Sequence, residues 1–170
     1  MKHTFVVAGR DPEHGHSAAG WPERPPKSMA RLDRAQIHSA CAASLARLST
    51  SYLDVLYLHW PDRYVPMFGS RLYDPHRARE GAISFGEIVG AIGELLASGA
   101  VRAWGLSNET AFGVCELCHE CDRQGVARPV AIQNQFSMLD RSFETDSVAE
   151  ACAPQHYGLS LVAFSPLAGG

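Results

Sequence analysis

At 170 residues, with 46% hydrophobic and 19% charged side chains, the chain has the composition of one globular domain and excludes the fibrous and disordered classes. A formal net charge of -3, with fifteen Lys and Arg spread along the sequence, offers no basic field for nucleic acid. No stretch nears the roughly 18 apolar residues of a membrane span, and the apolar run after Met1 is shorter than the about 7–15 residues of a signal-peptide core. The expectation is a cytoplasmic protein whose five cysteines stay reduced.

The first element in chain order is "TFVVA", read as a strand. Residues 10–31, rich in Pro, Gly and His, follow without apolar period and read as a long loop. Asp33 then caps a helix whose apolar stripe is Ile37, Ala40, Cys41, Ser44, Leu45 and Leu48, with Gln36 at the capping-box position. "LDVLYLH" (53–59) is a short, almost wholly apolar run, as in a parallel strand covered on both faces. Ser84 with Glu87 opens a second helix carrying Ile88, Ala91, Ile92, Leu95 and Leu96, which stops at Gly99. "VRAWGLS" (101–107) is the next strand, and a helix from about Thr110 to Gln124 stops at Gly125. "PVAIQNQF" (129–136), a helix over roughly Ser142 to Gln155 ended by Gly158, and "LSLVAFS" (159–165) complete the series. Five strands alternating with four helices predict an α/β fold of βαβ units around a parallel sheet, with all strand C-terminal ends on one side.

In such a sheet the strand-to-helix loops carry the chemistry. The strand ends read His59-Trp60-Pro61, Ser107-Asn108, Gln133-Asn134 and Phe164-Ser165-Pro166, each a polar or aromatic stop on an apolar strand. Alternation along "VLYLH" puts Val55, Tyr57 and His59 on one side. Taken singly, His59 reads as a buried histidine satisfied by a backbone carbonyl. Asn108 could cap the following helix, and Ser107 could be an ordinary loop residue.

"LDVLYLHWPDR", "GAVRAWGLSNETAFGV", "PVAIQNQFSMLDR" and "LVAFSPLAGG", in that order over most of residues 33–170, resemble the aldo-keto reductase family, in the branch of bacterial reductases and potassium-channel beta subunits. The resemblance implies a (β/α)₈ TIM-barrel fold, here an incomplete barrel within a single domain over 1–170, and reduction of aldehydes or ketones with NADP(H). It implies that His59 orients the substrate carbonyl and that Trp60 lines the substrate pocket. Ser107, Asn108 and Gln133 match the positions that hold the nicotinamide carboxamide. Phe164 matches the aromatic that stacks on the nicotinamide ring, and Ser165 and Leu167 match contacts to the pyrophosphate.

Protonating the alkoxide that hydride addition creates requires a positioned acid. The family uses a tyrosine whose pKa is lowered by a lysine paired with an aspartate. The Tyr and Asp belong to segments expected before Met1, and Lys2 is the one lysine near the lysine's place. A full barrel takes about 250 residues, so the final strand and the basic residues for the 2'-phosphate are expected beyond Gly170. Open sheet edges at "TFVVA" and "LSLVAFS" would invite self-association. The resemblance therefore also admits a non-catalytic nicotinamide-binding or regulatory module of the beta-subunit kind, or an inactive fragment. "CELCH" (115–119) fits a haem-attachment pattern and Cys121 extends it toward a metal cluster. However, haem attachment wants an exported chain, zinc wants a fourth ligand, and the thiols fall on a buried helical stripe. No metal is expected there, nor at His14 and His16 in the loop.

Overall fold

The computed structural model describes residues 3–6, 31–66 and 72–169. The expected loop up to Ala30, and the Val7 and Ala8 end of the first strand, lie outside these residues. Strand β1 spans His3–Val6, helix α1 Arg34–Leu48, β2 Leu53–Leu58, α2 Phe85–Ala97 and β3 Val101–Ser107. They are followed by α3 over Ala111–Gln124, β4 over Ala131–Gln135, the short helices α4 (Ser142–Thr145) and α5 (Val148–Cys152), and β5 over Ser160–Phe164. A 3₁₀ turn at Pro75–Arg77 interrupts the long connection from β2 to α2.

The helix boundaries follow from side-chain caps. The Asp33 carboxylate accepts the Gln36 N–H at 2.9 Å, the Ser84 hydroxyl accepts the Glu87 N–H at 3.2 Å, and the Thr110 hydroxyl accepts the Gly113 N–H at 3.3 Å. Each satisfies a donor that the first helical turn leaves without a partner. Gly125 ends α3 in the left-handed region at φ 68°, where glycine has no Cβ penalty. Two details differ from the sequence reading. Leu48 is 38% exposed, because it is the last residue before left-handed Ser49 turns the chain toward β2 and the packed stripe ends at Leu45. The single helix expected over 142–155 is broken in two by Ser147 at φ 61° and stops before Pro154, which cannot continue a helix.

The five strands form one parallel sheet in the order β1-β2-β3-β4-β5, an arc of a (β/α)₈ barrel. One face carries Leu56, Leu58, Trp104, Leu106 and Ile132, packed against Ile88, Val89, Ile92, Val114, Leu117, Cys118 and Cys121 of α2 and α3. Fully burying one such large side chain contributes about 1.5–3 kcal/mol. Trp104 is wholly buried, and its indole N–H donates to the Ala127 carbonyl at 2.7 Å, as a buried indole requires. On the opposite face Tyr57 lies across Gly105, where a Cβ would come within 2.6 Å of the Tyr57 ring and 2.8 Å of the Ala131 carbonyl oxygen. Glycine is therefore the residue that lets β2, β3 and β4 approach there.

Pairing fixes the height of each strand end. Leu58 pairs with Leu106, Ser107 with Gln133, and Gln133 with Val162, with Gln135 opposite Phe164. The last residues of β2, β3, β4 and β5 thus come to one rim.

Candidate active site

At this rim the chain runs from Leu58 into His59, which is partly buried, and Trp60, which is 7% exposed. The two rings lie 5.6 Å apart between centroids. Beyond β3, Asn108 adopts φ 56°, a left-handed conformation that Asn tolerates better than most residues. Its side-chain N–H donates to the His59 carbonyl at 2.8 Å and to the Ser107 hydroxyl at 3.1 Å. Its backbone N–H donates to the Gln133 carbonyl at 3.0 Å, and the Ser107 hydroxyl donates to that same carbonyl at 2.9 Å. His59, Ser107, Asn108 and Gln133 are therefore one hydrogen-bonded unit across three strands. The helix-capping alternative for Asn108 is overturned, since Thr110 supplies the α3 cap.

The other expected site residues take different places on the rim. Phe164 ends β5 partly exposed, and its carbonyl accepts the Phe136 N–H at 3.4 Å. Ser165 and Leu167 lie in the turn beyond it, closed by the Ala168 N–H on the Ser165 carbonyl at 3.0 Å. Both are exposed, Leu167 by 76%. Trp60 borders a small cleft together with Leu58, Asp62, Ile88 and Leu106, on the helix side of the rim. Lys2 lies outside the described residues.

Asp62, Arg63, Arg79 and Glu109, which support this rim, were not singled out by sequence reasoning, and Asn134 was read only as part of a strand end. Asp62 is 3% exposed and gathers the Leu32 N–H at 3.2 Å, the Ile83 N–H at 2.8 Å and the Arg79 guanidinium at 3.2 Å. Arg63 grips Glu109 with two hydrogen bonds, one at 3.0 Å, and also donates to the Thr110 hydroxyl at 3.0 Å. The Arg63 guanidinium lies over the rings of Phe85 and Phe112 at 5.2 and 5.6 Å. The Asn134 amide exchanges hydrogen bonds with the Glu109 backbone, accepting its N–H at 3.2 Å and donating to its carbonyl at 2.8 Å. A sequence signal for the pair did exist: an Arg a few residues past one apolar strand and a Glu two past the next, both followed by helix.

The residues at the rim fit a nicotinamide. Its carboxamide has two N–H donors and a carbonyl acceptor to satisfy. The Gln133 side-chain amide, partly exposed, and the Asn108 Oδ1 are spent on no hydrogen bond among the described residues, so they offer partners of both kinds. The part-open Phe164 ring offers a stacking face.

The thiols of α3 and α5 belong to the core. Burial pushes Cys118 and Cys121 up to about 12 and Cys152 up to about 11, which keeps them protonated and unreactive. Among the described residues no group of three or more His, Cys, Asp or Glu could hold a metal ion. No helix there is long and apolar enough to cross a membrane.

Comparisons agree with this geometry. The family model described as "Aldo/keto reductase family" matches residues 18–170. The chain is 38% identical to an aldo-keto reductase of Babesia bovis, over 82% of this chain and 51% of that protein. It is 41% identical to Protein tas of Escherichia coli strain K12, over 82% of this chain and 39% of that protein. Among solved structures it resembles a thermostable aldo-keto reductase in complex with the inhibitor epalrestat, with a TM-score of 0.59 and 28% identity, covering 82% of this chain and 42% of that one. The chain spans about half or less of the length of these relatives. With a family match over nine-tenths of its residues and the barrel arc to go with it, this chain belongs to the aldo/keto reductase family.

Proposed function

We propose that the chain is an NADP-dependent oxidoreductase of the aldo-keto reductase type, acting on small aldehydes or ketones. The observation that supports this most is the hydrogen-bonded convergence of His59, Ser107, Asn108 and Gln133 at one rim. The bound nicotinamide supplies the hydride for the carbonyl carbon. His59 orients the carbonyl oxygen by hydrogen bonding, at a strand end where the chain is partly shielded from water. Asn108 and Gln133 hold the carboxamide, and Ser107 fixes Asn108. Phe164 stacks on the ring and sets which face is offered. Ser165 and Leu167 meet the pyrophosphate. The preference for NADP over NAD is carried over from the family.

The same reading makes a small carbonyl compound the partner, in the cytoplasm, without nucleic acid or membrane. The outer edges of β1 and β5, which have one strand neighbour each among the described residues, are where further strands or second copies would pair.

The test is turnover. Purified chain should consume NADPH with a nitrobenzaldehyde, and His59→Ala should slow consumption far more than it weakens NADPH binding. A second reading, a nicotinamide-binding module without chemistry, draws on the rim itself: Tyr57, the tyrosine on the His59 strand, is buried against Gly105, and burial raises its pKa, which makes it a poorer acid. Quenching of tryptophan fluorescence by NADPH without turnover would select it. Neither quenching nor turnover would refute both.

A further inference from the structure

Asn108 makes its contacts only if the turn from β3 into α3 holds a left-handed residue in place. That turn is gripped from two sides. From β4, the Asn134 amide pairs with the N–H and carbonyl of Glu109 at 3.2 and 2.8 Å, as a neighbouring strand would if β4 were longer. Pairing in the sheet places Asn134 on the same face as Ile132 and Leu106, away from the open face that carries Gln133. From the loop after β2, Arg63 holds the Glu109 carboxylate, itself only 5% exposed, with two hydrogen bonds. Gly113 of α3 leaves the space: a Cβ there would collide with both the Glu109 carboxylate and the Arg63 guanidinium. Asn108, one residue before Glu109, then reaches back to the His59 carbonyl, four residues before Arg63. The turn and the histidine loop are thus closed on each other by two links.

We infer that Asn134 and the Arg63–Glu109 pair are positioning residues, which fix the Asn108 turn against the His59 loop and so set the geometry of the nicotinamide contacts without touching the cofactor. This rests on the reading of the rim as a nicotinamide site. A side-chain amide that replaces two ladder hydrogen bonds cannot be exchanged for an apolar residue without freeing both Glu109 backbone groups. A misplaced contact of about 1 Å is enough to cost a large factor in a preorganised site.

The experiment uses the full chain and two readouts, NADPH titration by fluorescence and amide hydrogen exchange over residues 107–110 in the free protein. Asn134→Ala should weaken NADPH binding about tenfold and speed exchange across the turn. Asn134→Asp keeps the acceptor and loses the donor, so it should fall between. Ile37→Val on α1, a core trim far from the rim, serves as the control for general destabilisation and should change neither. Should Asn134→Ala not fold, Glu109→Gln, which weakens the ion pair while keeping its shape, carries the same prediction in milder form. Unchanged affinity in these variants, or lost affinity with unchanged exchange over 107–110, would overturn the inference. Failure of the unsubstituted chain to bind NADPH would instead strike the reading on which it rests.

Discussion

Replacing Arg63 by Ala should be among the most damaging single changes in this protein, and more so than replacing its partner. Glu109 is 5% exposed at its side chain and Arg63 is 20% exposed. Removing the guanidinium leaves a carboxylate without its counter-charge in a place water barely reaches, a situation that costs about 3–5 kcal/mol in buried pairs. Arg63 keeps some water, so the lower end of that range applies. The loss of its packing between Phe85 and Phe112 adds roughly 0.5–1 kcal/mol. Glu109→Ala leaves an arginine that can turn toward solvent, at about 1–2 kcal/mol. The double variant should then be no worse than Arg63→Ala alone, giving a coupling of about 1–2 kcal/mol in a double-mutant cycle. Urea denaturation of the four proteins, with m-values checked for constancy, measures it. Additive effects, or a larger loss for Glu109→Ala than for Arg63→Ala, would refute the reasoning.

Other outcomes follow from neighbouring contacts. Gly105→Ala places a methyl group 2.6 Å from the Tyr57 ring and 2.8 Å from the Ala131 carbonyl. Because the carbonyl is backbone in a paired strand, overpacking of about 2–3 kcal/mol is expected, visible as a drop in thermal midpoint that shortening Tyr57 relieves only in part. Asp62→Ala frees the Leu32 and Ile83 N–H groups and Arg79 together, at about 2–4 kcal/mol, and limited proteolysis should then cut first between residues 63 and 83. The thiols give a pH signature. In the unfolded chain they ionise at the ordinary thiol value of about 8.5, whereas burial holds Cys118 and Cys121 at about 12 and Cys152 at about 11 when folded. The folded state binds the extra protons, so the thiols' contribution to stability is constant below about pH 8 and is lost as pH rises toward 12. A stability that stayed level from pH 9 to 11 would contradict this, as would rapid native-state alkylation of these three thiols at pH 8.

The parts of this protein governed by period and punctuation were legible without coordinates. Apolar runs such as "LDVLYL", bounded by a cap on one side and a histidine or serine on the other, gave the strands. Asp33, Ser84 and Gly125 marked helix ends that the structure repeats, because capping is a local matter. The break at Ser147 was not legible, since a left-handed serine inside an apolar period has no pattern of its own. The convergence of His59, Ser107, Asn108 and Gln133 followed from parallel strands sharing a rim. What held that rim together did not. Arg63 and Glu109 lie 46 positions apart, and Asp62 serves segments on both sides of a long connection, so their roles depend on tertiary contacts that no local period records. Asn134 looked like one more amide in "QNQ". Strand alternation puts Gln133 and Asn134 on opposite faces, but it does not tell that Asn134 pairs with the Glu109 backbone.

The central claim is that a nicotinamide sits at the rim formed by the ends of β2, β3, β4 and β5. Titration of the isotope-labelled full chain with NADPH, followed by nuclear magnetic resonance, tests it most directly. Saturable shifts should concentrate on the His59 ring, the side-chain amides of Asn108 and Gln133, and Phe164, while α3 residues such as Cys118 stay still. Shifts that fail to saturate, or that gather on the helix face and leave Asn108 and Gln133 unmoved, would contradict it.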